Sequence, residues 1–170
     1  TALAIAAIFF KNYKRLAIVI VCPYQHLVTQ WERECRHFNI KPILCYKSRT
    51  LWEDELNEKI TSYNIGTLSS FCFITTNDTL SSPTMQASIE RLNGDVLIIA
   101  DEVHHLGAMR LKNSLPSNID FRLGLSATPE RWYDDAGTDG LNKYFENGVI
   151  FQFGLREAIG TYLTEHYYYT

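Results

Sequence analysis

Residues 95–105, Asp-Val-Leu-Ile-Ile-Ala-Asp-Glu-Val-His-His, form the stretch that decides the fold. The apolar run 96–100 has no alternating polar positions, which indicates a strand buried on both faces, as in the centre of a parallel sheet. The run ends abruptly in two carboxylates, Asp101 and Glu102. Because ligands of open α/β sheets bind outside the carboxyl ends of the strands, these side chains are candidates for a functional site. An acidic pair after a strand can also be a solvated turn, and this stretch alone leaves both interpretations open.

The composition predicts one globular domain. A chain of 170 residues with 46% hydrophobic content is long enough to bury one sizeable core, and its length does not call for two. No segment approaches the ~18 continuous apolar residues that a membrane-spanning helix needs, so no membrane partner is expected. The formal net charge of −3 offers no global attraction to nucleic acid. Any contact with nucleic acid therefore needs a local patch or backbone donors.

The cysteines and the start of the chain indicate an intracellular origin. Residues 1–10 are apolar without a charged leader, a cleavage-type ending or an initiating Met, so we expect the interior of a longer protein and not a signal peptide. The four cysteines have no short metal-type spacing, and we expect them to be reduced core residues of a cytoplasmic protein: Cys22, Cys35, Cys45 and Cys72.

Strand patterns and helix patterns alternate along the chain. Continuous apolar or β-branched runs predict strands at 15–22, 41–46, 71–76, 96–100 and 122–126. Apolar residues at three- and four-residue steps, or good helix formers, predict helices at 1–12, 25–38, 50–63 and 85–92. Such alternation is typical of βαβ units, so the predicted fold class is α/β, with a mostly parallel sheet and helices on both faces.

The composition of the sequence changes after Pro129. Residues 130–147 are predicted to be an exposed loop, because aspartates and glycines are frequent there. Residues 148–170 are predicted to form a terminal strand or hinge region, with a strand at 148–153, a short helix and an extended tail. Whether this region completes the sheet or begins a hinge to a further domain stays open. A short helical turn is predicted at 108–113.

Three local signatures stand in order at the ends of predicted strands. Cys22-Pro23-Tyr24 leads into a helix that carries Gln30, Asp101-Glu102-Val103-His104 follows the central strand, and Ser126-Ala127-Thr128 follows the next one. A further strand, within 73–80, ends in threonines. Each signature is weak alone, but their order and spacing are specific. Together they resemble the first RecA-like domain of a superfamily-two helicase or translocase, close to the DEAD/DEAH-box ATPases of repair helicases and restriction systems, and the likeness covers most of the chain.

The resemblance implies a three-layer RecA-like P-loop NTPase domain that uses ATP and Mg²⁺. Phosphoryl transfer needs positioning, charge neutralisation and an oriented water molecule. Asp101, in the Walker B box, is expected to hold Mg²⁺ through water, because magnesium keeps much of its hydration. Glu102 is expected to orient and deprotonate the attacking water. His104 resembles the histidine that links the nucleotide site to the coupling motif through a hydrogen bond toward Ser126 or Thr128.

Less specific interpretations exist for the same residues. Ser126 and Thr128 can be strand-end hydroxyls that cap a turn before Pro129. His105 has no assigned role and is expected to be a surface or packing histidine. A zinc site at His104 and His105 is not expected, because adjacent residues project differently and no cysteine pair accompanies them.

The resemblance also implies a nucleic-acid partner, DNA more than RNA. Backbone amides and small hydroxyls suit a sequence-independent reader of phosphates, although such residues also end strands and cap helices in any α/β protein. The positions that match the family's nucleic-acid motifs are Pro23, Tyr24, Gln30, Thr75 and Thr76.

Two parts of such an ATPase do not occur in the sequence. A P-loop, G-x-x-x-x-G-K-[ST], holds phosphates through backbone N–H groups and a lysine, and the resemblance places it just upstream of Thr1. The second RecA-like domain, which in the family supplies an arginine finger and closes the ATP cleft, is expected elsewhere in the same parent chain. We therefore expect an ATP-hydrolysing parent protein and an inactive isolated fragment. The alternatives are a non-catalytic nucleic-acid-binding or assembly module with a helicase fold, and a P-loop NTPase subunit of a restriction system without strand separation.

Overall fold

The computed structural model describes residues 1–107, 114–127, 135–146, 149–154, 157 and 159. Helices and strands alternate through this part of the chain, and short 3-10 turns occupy Arg49–Leu51 and Val103–Gly107. The elements in chain order are α1 (Ala2–Tyr13), β1 (Leu16–Cys22), α2 (Gln25–His37), β2 (Ile43–Cys45), α3 (Glu53–Asn64), β3 (Ser70–Thr76), α4 (Asn77–Leu80), α5 (Pro83–Glu90), β4 (Val96–Ala100), β5 (Phe121–Gly124) and α6 (Asp135–Phe145).

The strands form one parallel sheet of order β2-β3-β1-β4-β5. β1 lies at its centre, where Val19 is in register with Phe73 of β3 and Ile98 of β4. Every residue of β1 and of β4 is buried. Continuous apolar runs predict this pattern for strands that are covered on both faces. The predicted parallel α/β sheet is confirmed.

Successive side chains of β1 point into two separate cores, because a strand sends alternate residues to opposite faces of its sheet. Val19 packs in the core that contains Leu56 of α3 and Ile89 of α5. Ile20 packs in the core that contains Val28 of α2 and residues of α1. Helices therefore cover both faces of the sheet, and the predicted three-layer arrangement is confirmed.

None of the helices in the described part of the chain is long and apolar enough to cross a membrane.

The prediction of an exposed loop over 130–147 is wrong for its described part. Helix α6 spans Asp135–Phe145. Leu141 in this helix is only 5% exposed, and Phe145, one turn later, packs against the same core. Two apolar residues four positions apart lie on one helix face, so tertiary packing stabilises a segment whose aspartates and glycines are poor helix formers.

The strand predicted at 148–153 is also wrong for its described part. Residues 149–154 belong to none of the strands of the sheet. Their large apolar side chains are exposed: Val149 by 59%, Ile150 by 76% and Phe151 by 77%. The turn predicted at 108–113 and the tail lie outside the described residues.

The cysteines are free thiols in the core, as predicted. Burial, with a smaller contribution from the nearby negative charge of Asp101, raises the pKa of Cys22 to about 12. Burial also raises the pKa of Cys45, with a smaller contribution from the charge of Glu55. Both residues are 0% exposed, so a reagent in solution reaches neither sulfur. A buried thiol with a raised pKa is a poor nucleophile, because the thiolate is the reactive form.

We expect Cys22 and Cys45 to resist alkylation by iodoacetamide in the folded chain at mildly alkaline pH. The same residues should react once guanidinium has unfolded the chain, because exposure returns their pKa values to the ordinary range. Peptide mapping by mass spectrometry before and after unfolding measures both states. Rapid modification of Cys22 in the native chain would contradict its place in the core.

Candidate functional site

The end of β4 is held by backbone hydrogen bonds to both neighbouring strands. The N–H of Asp101 donates to the carbonyl of Val21 in β1 at 2.8 Å. On the other side, the N–H of Leu125 donates to Ala100 at 2.8 Å, and the N–H of Val103 donates to Leu125 at 2.9 Å. The acidic pair therefore emerges at the carboxyl edge of the sheet, between β1 and β5, where the sequence predicts it.

Both carboxylate oxygens of Asp101 accept hydrogen bonds from the protein. Oδ2 accepts from the indole Nε1 of Trp31 in α2 at 2.8 Å. Oδ1 accepts from the backbone N–H of Glu102 at 3.0 Å. Each carboxylate oxygen has two lone-pair positions, so each can accept one further hydrogen bond. The carboxylate is held in one orientation and can still accept hydrogen bonds from a ligand.

Glu102 has a left-handed backbone conformation, with a φ of 47°. This region is uncommon for a residue with a Cβ, and at functional sites it often reflects a conformation that the surroundings impose. The side chain of Glu102 is 39% exposed, and its Oε2 lies 3.4 Å from Nδ1 of His104. Because the backbone turns sharply at Glu102, its side chain points in a different direction from the hydrogen-bonded side chain of Asp101.

His104 connects the end of β4 to the segment after β5. Its Nδ1 lies 2.9 Å from Oγ of Ser126, and which atom donates depends on the imidazole tautomer. This is one of the two hydrogen bonds that the family resemblance implies for His104. Thr128, the other predicted partner, lies outside the described residues.

His105 lies between His104 and the loop before α2. Its ring centroid is 4.3 Å from that of His104, with the two rings tilted relative to each other. Its ring centroid is 5.5 Å from that of Tyr24, and these two rings meet edge to face. Tyr24 in turn stacks on His26 at 5.6 Å. His105 therefore packs, as expected, but it packs between the two predicted motifs.

Three of the predicted nucleic-acid residues lie near this edge with accessible side chains. Tyr24 is 49% exposed, Gln30 is exposed, and Pro23 is half-buried. Cys22, the last residue of β1, precedes Pro23 directly, so the loop begins at the same carboxyl edge as the acidic pair. These three residues can be reached from solvent.

The two predicted threonines are placed differently. Thr75 is 0% exposed and Thr76 is 7% exposed. The hydroxyl of Thr76 accepts a hydrogen bond from the backbone N–H of Thr79 and so caps α4. The hydroxyl of Thr75 donates to the carbonyl of Thr76 at 3.4 Å. Their side chains serve the fold, as strand-end threonines often do, and their hydroxyls are not presented to a ligand.

The acidic pair suits a magnesium ion that keeps its water. Among the residues that the structure describes, no group of three or more His, Cys, Asp or Glu side chains could hold a metal. Magnesium needs no such cage when phosphate oxygens and water fill most of its coordination sites. Asp101 could accept hydrogen bonds from that water on both oxygens.

Trp31 is the site residue that sequence reasoning missed. The sequence places it on the apolar stripe of α2, and it does pack beside the core with Leu27 one turn earlier. Periodicity shows that such a side chain faces the sheet, but it cannot show that the indole N–H meets a carboxylate 70 residues away.

The left-handed backbone of Glu102 predicts an unusual order of stabilities. We expect Glu102→Val to be less stable than Glu102→Gly by about 1–2 kcal/mol, because a β-branched residue tolerates this conformation poorly and glycine adopts it freely. Urea unfolding followed by circular dichroism measures the difference. Glu58, exposed within α3, is the matched control. There glycine should be the less stable substitution, because the backbone is helical. The same order at both positions would contradict the left-handed turn.

Comparison with known proteins agrees with this architecture. Residues 1–131 match the family model described as type III restriction enzyme, res subunit. None of the curated proteins matches the chain. Among solved structures, the helicase domain of Pyrococcus furiosus Hef is similar, with a TM-score of 0.57 and 18% sequence identity. The match covers 85% of this chain and 30% of that one, so the chain spans less than a third of the Hef helicase domain.

Two de novo designed proteins of the P-loop NTPase fold also match. Their TM-scores are 0.44 and 0.45, with 13% and 12% identity. The matches cover 78% and 80% of this chain, and 88% and 94% of the designed chains. The Hef likeness shows the fold, and the family match shows the relationship. The chain belongs to the family of type III restriction enzyme res subunits, and its fold is that of a superfamily-two helicase RecA-like domain.

Proposed function

We propose that this chain supplies the Walker B carboxylates of an ATP-dependent helicase or translocase. The observation that carries the proposal is the pair of acidic side chains at the carboxyl edge of the sheet, one clamped and one half-exposed. Membership of a helicase-like family supports an ATPase in the parent protein. The hydrogen bond between His104 and Ser126 supports a connection between the acidic turn and the coupling motif.

The two carboxylates have different tasks in this proposal. Asp101, fixed by two donors, holds the water shell of Mg²⁺ in one place. Mg²⁺, when bound, neutralises charge on the phosphate oxygens of ATP. Glu102, turned away from Asp101 and half-exposed, orients the attacking water and accepts its proton. His104 contacts both Glu102 and Ser126. A shift of the segment after β5 would therefore move His104 and change its contact with the Glu102 carboxylate.

Hydrolysis also needs groups that the 170 residues do not contain. No G-x-x-x-x-G-K-[ST] loop occurs in the sequence, so the backbone cradle and the lysine for the terminal phosphates must come from other residues of the parent protein. A second RecA-like domain in the same parent chain would supply the arginine finger. In this proposal the isolated chain does not turn over ATP.

Nucleic acid is the proposed partner, and DNA is the proposed type. The family description, a subunit of a restriction enzyme, supports DNA. Tyr24 and Gln30 are the exposed candidates for contact, because they lie on the loop and helix that follow β1. An aromatic ring suits a base without regard to sequence, since every base has a π-face.

A second candidate function is translocation on duplex DNA without strand separation. The description of the family as a restriction enzyme subunit, which names no strand separation, favours it. The acidic pair serves both functions equally, so the chain's own residues do not distinguish them. A strand-displacement assay on the parent protein does: ATP-dependent movement without displaced strand supports translocation alone.

We expect Asp101→Ala and Glu102→Gln to abolish ATP hydrolysis by the parent protein. The loss for Glu102→Gln should be about 10²–10⁴-fold, the usual contribution of a general base. Nucleic-acid-stimulated phosphate release measures it. Asp95→Asn is the matched control, because Asp95 precedes the same strand at the opposite edge of the sheet. Full activity of Glu102→Gln would refute the Walker B assignment, and robust turnover by the isolated chain would refute the need for other residues.

We expect Tyr24→Ala to weaken binding of single-stranded DNA by the parent protein by about fivefold or more, the lower end of a base-stacking contribution. Fluorescence anisotropy with a labelled oligonucleotide measures the dissociation constant. Phe38→Ala is the control, because Phe38 is a similarly exposed aromatic, 43% against 49%, at the other end of α2. Equal effects of the two substitutions would argue against a specific contact by Tyr24.

A further inference from the structure

The indole of Trp31 lies between the core and the candidate metal-binding carboxylate. Its ring packs beside the core formed by α1, α2 and one face of the sheet. Its Nε1 donates to Oδ2 of Asp101 at 2.8 Å. The ring is thus held on one side by apolar packing, and its only polar atom is directed at the carboxylate. No function assigned to the family motifs above uses this contact.

An indole has properties that suit the orientation of a carboxylate. It donates a hydrogen bond but cannot accept one, so it does not bind a cation in place of Asp101. It is neutral, so it adds no positive charge that would repel Mg²⁺. The second donor, the N–H of Glu102, fixes the other oxygen. With one donor on each oxygen, the plane of the Asp101 carboxylate is set before any ligand arrives.

The partner helix α2 is also the helix that carries the exposed Gln30 and follows Tyr24. Gln30 and Trp31 are adjacent on it, one facing solvent and the other facing the sheet. Because a helix moves as a unit, a displacement of α2 relative to β4 changes the distance between the indole and the carboxylate. The placement of α2 and the orientation of Asp101 are therefore physically connected.

We propose that Trp31 is a positioning residue that orients Asp101 toward Mg²⁺ and makes that orientation depend on the placement of α2. This inference rests on the proposed function, because it takes Asp101 as the carboxylate that faces the metal. It concerns a residue outside the three motifs, and its effect is on metal affinity and not on the chemical step.

Trp31→Phe tests the inference, because phenylalanine keeps an aromatic ring and removes the donor. Trp52→Phe is the matched control: Trp52 is 3% exposed, and its Nε1 has no hydrogen-bond partner in the described part of the chain. In the parent protein with a non-hydrolysable ATP analogue, Mn²⁺ can replace Mg²⁺, and the electron paramagnetic resonance signal of free Mn²⁺ gives its affinity. We expect Trp31→Phe to weaken Mn²⁺ binding about tenfold, which is the effect of losing a hydrogen bond to a charged group. The affinity of this variant for the nucleotide without metal should equal that of the wild-type protein. The Mn²⁺ affinity of Trp52→Phe should also equal the wild-type value.

A spectroscopic measurement on the 170-residue chain checks the contact without nucleotide. Trp31→Phe identifies the Trp31 indole N–H resonance in a nitrogen-correlated NMR spectrum. Asp101→Asn should shift that resonance and leave the Trp52 resonance in place. An unshifted Trp31 resonance would overturn the contact itself.

The outcomes separate this inference from the proposed function. If the wild-type parent protein binds Mn²⁺ with nucleotide and Trp31→Phe binds it equally well, the positioning role is overturned and the proposed function stands. If the wild-type parent protein binds no metal–nucleotide complex, both are overturned. If Trp31→Phe and Trp52→Phe weaken binding alike, the effect is general destabilisation and the positioning role is overturned.

Discussion

The parallel pairing of β4 between β1 and β5 is the constraint on which the candidate site depends. Parallel strands end at one edge of the sheet, so the segments that follow β1, β4 and β5 meet there although they are far apart in sequence. The hydrogen bonds of Asp101 to Val21 and of Val103 to Leu125 extend this pairing past the last residue of the strand. The acidic turn is consequently held by backbone contacts to β1, which is buried throughout, and to Leu125, the residue that follows β5.

This support places two adjacent carboxylates in different surroundings. Asp101 still belongs to the ladder, and donors from α2 and from its own turn fix both of its oxygens. Glu102 comes one residue later, where the chain has already turned into a left-handed conformation. A carboxylate with both oxygens hydrogen-bonded and a partly exposed one therefore stand side by side. In the proposed function, the first is preorganised for an ion, and the second can be reached by a water molecule from solvent.

Sequence patterns predicted most of the sheet and the location of the acidic pair, because continuous apolar runs report burial and polar residues mark where strands end. They did not predict the contacts between elements. The apolar stripe of α2 predicts that Trp31 faces the core, but it does not predict the hydrogen bond from Trp31 to Asp101. The left-handed backbone of Glu102 leaves no trace in composition. Helix α6 was missed because Leu141 and Phe145 supply tertiary packing that outweighs poor local propensity. Thr75 and Thr76 matched a motif, yet their hydroxyls are used within the protein.

The segment after α6 has a consequence for how the chain behaves in solution. Ile150 and Phe151 each expose about three quarters of their surface, 76% and 77%, and Phe153 exposes half. Burying such side chains against a second molecule removes apolar surface from water, and a net charge of −3 provides little repulsion to oppose it. These exposed side chains, with others such as Leu51 at 71% and Ile65 at 70%, therefore favour association of the chain with other molecules. Salting-out ions such as sulfate strengthen apolar association, so they lower the solubility limit of the chain, and moderate concentrations of a chaotropic salt raise it.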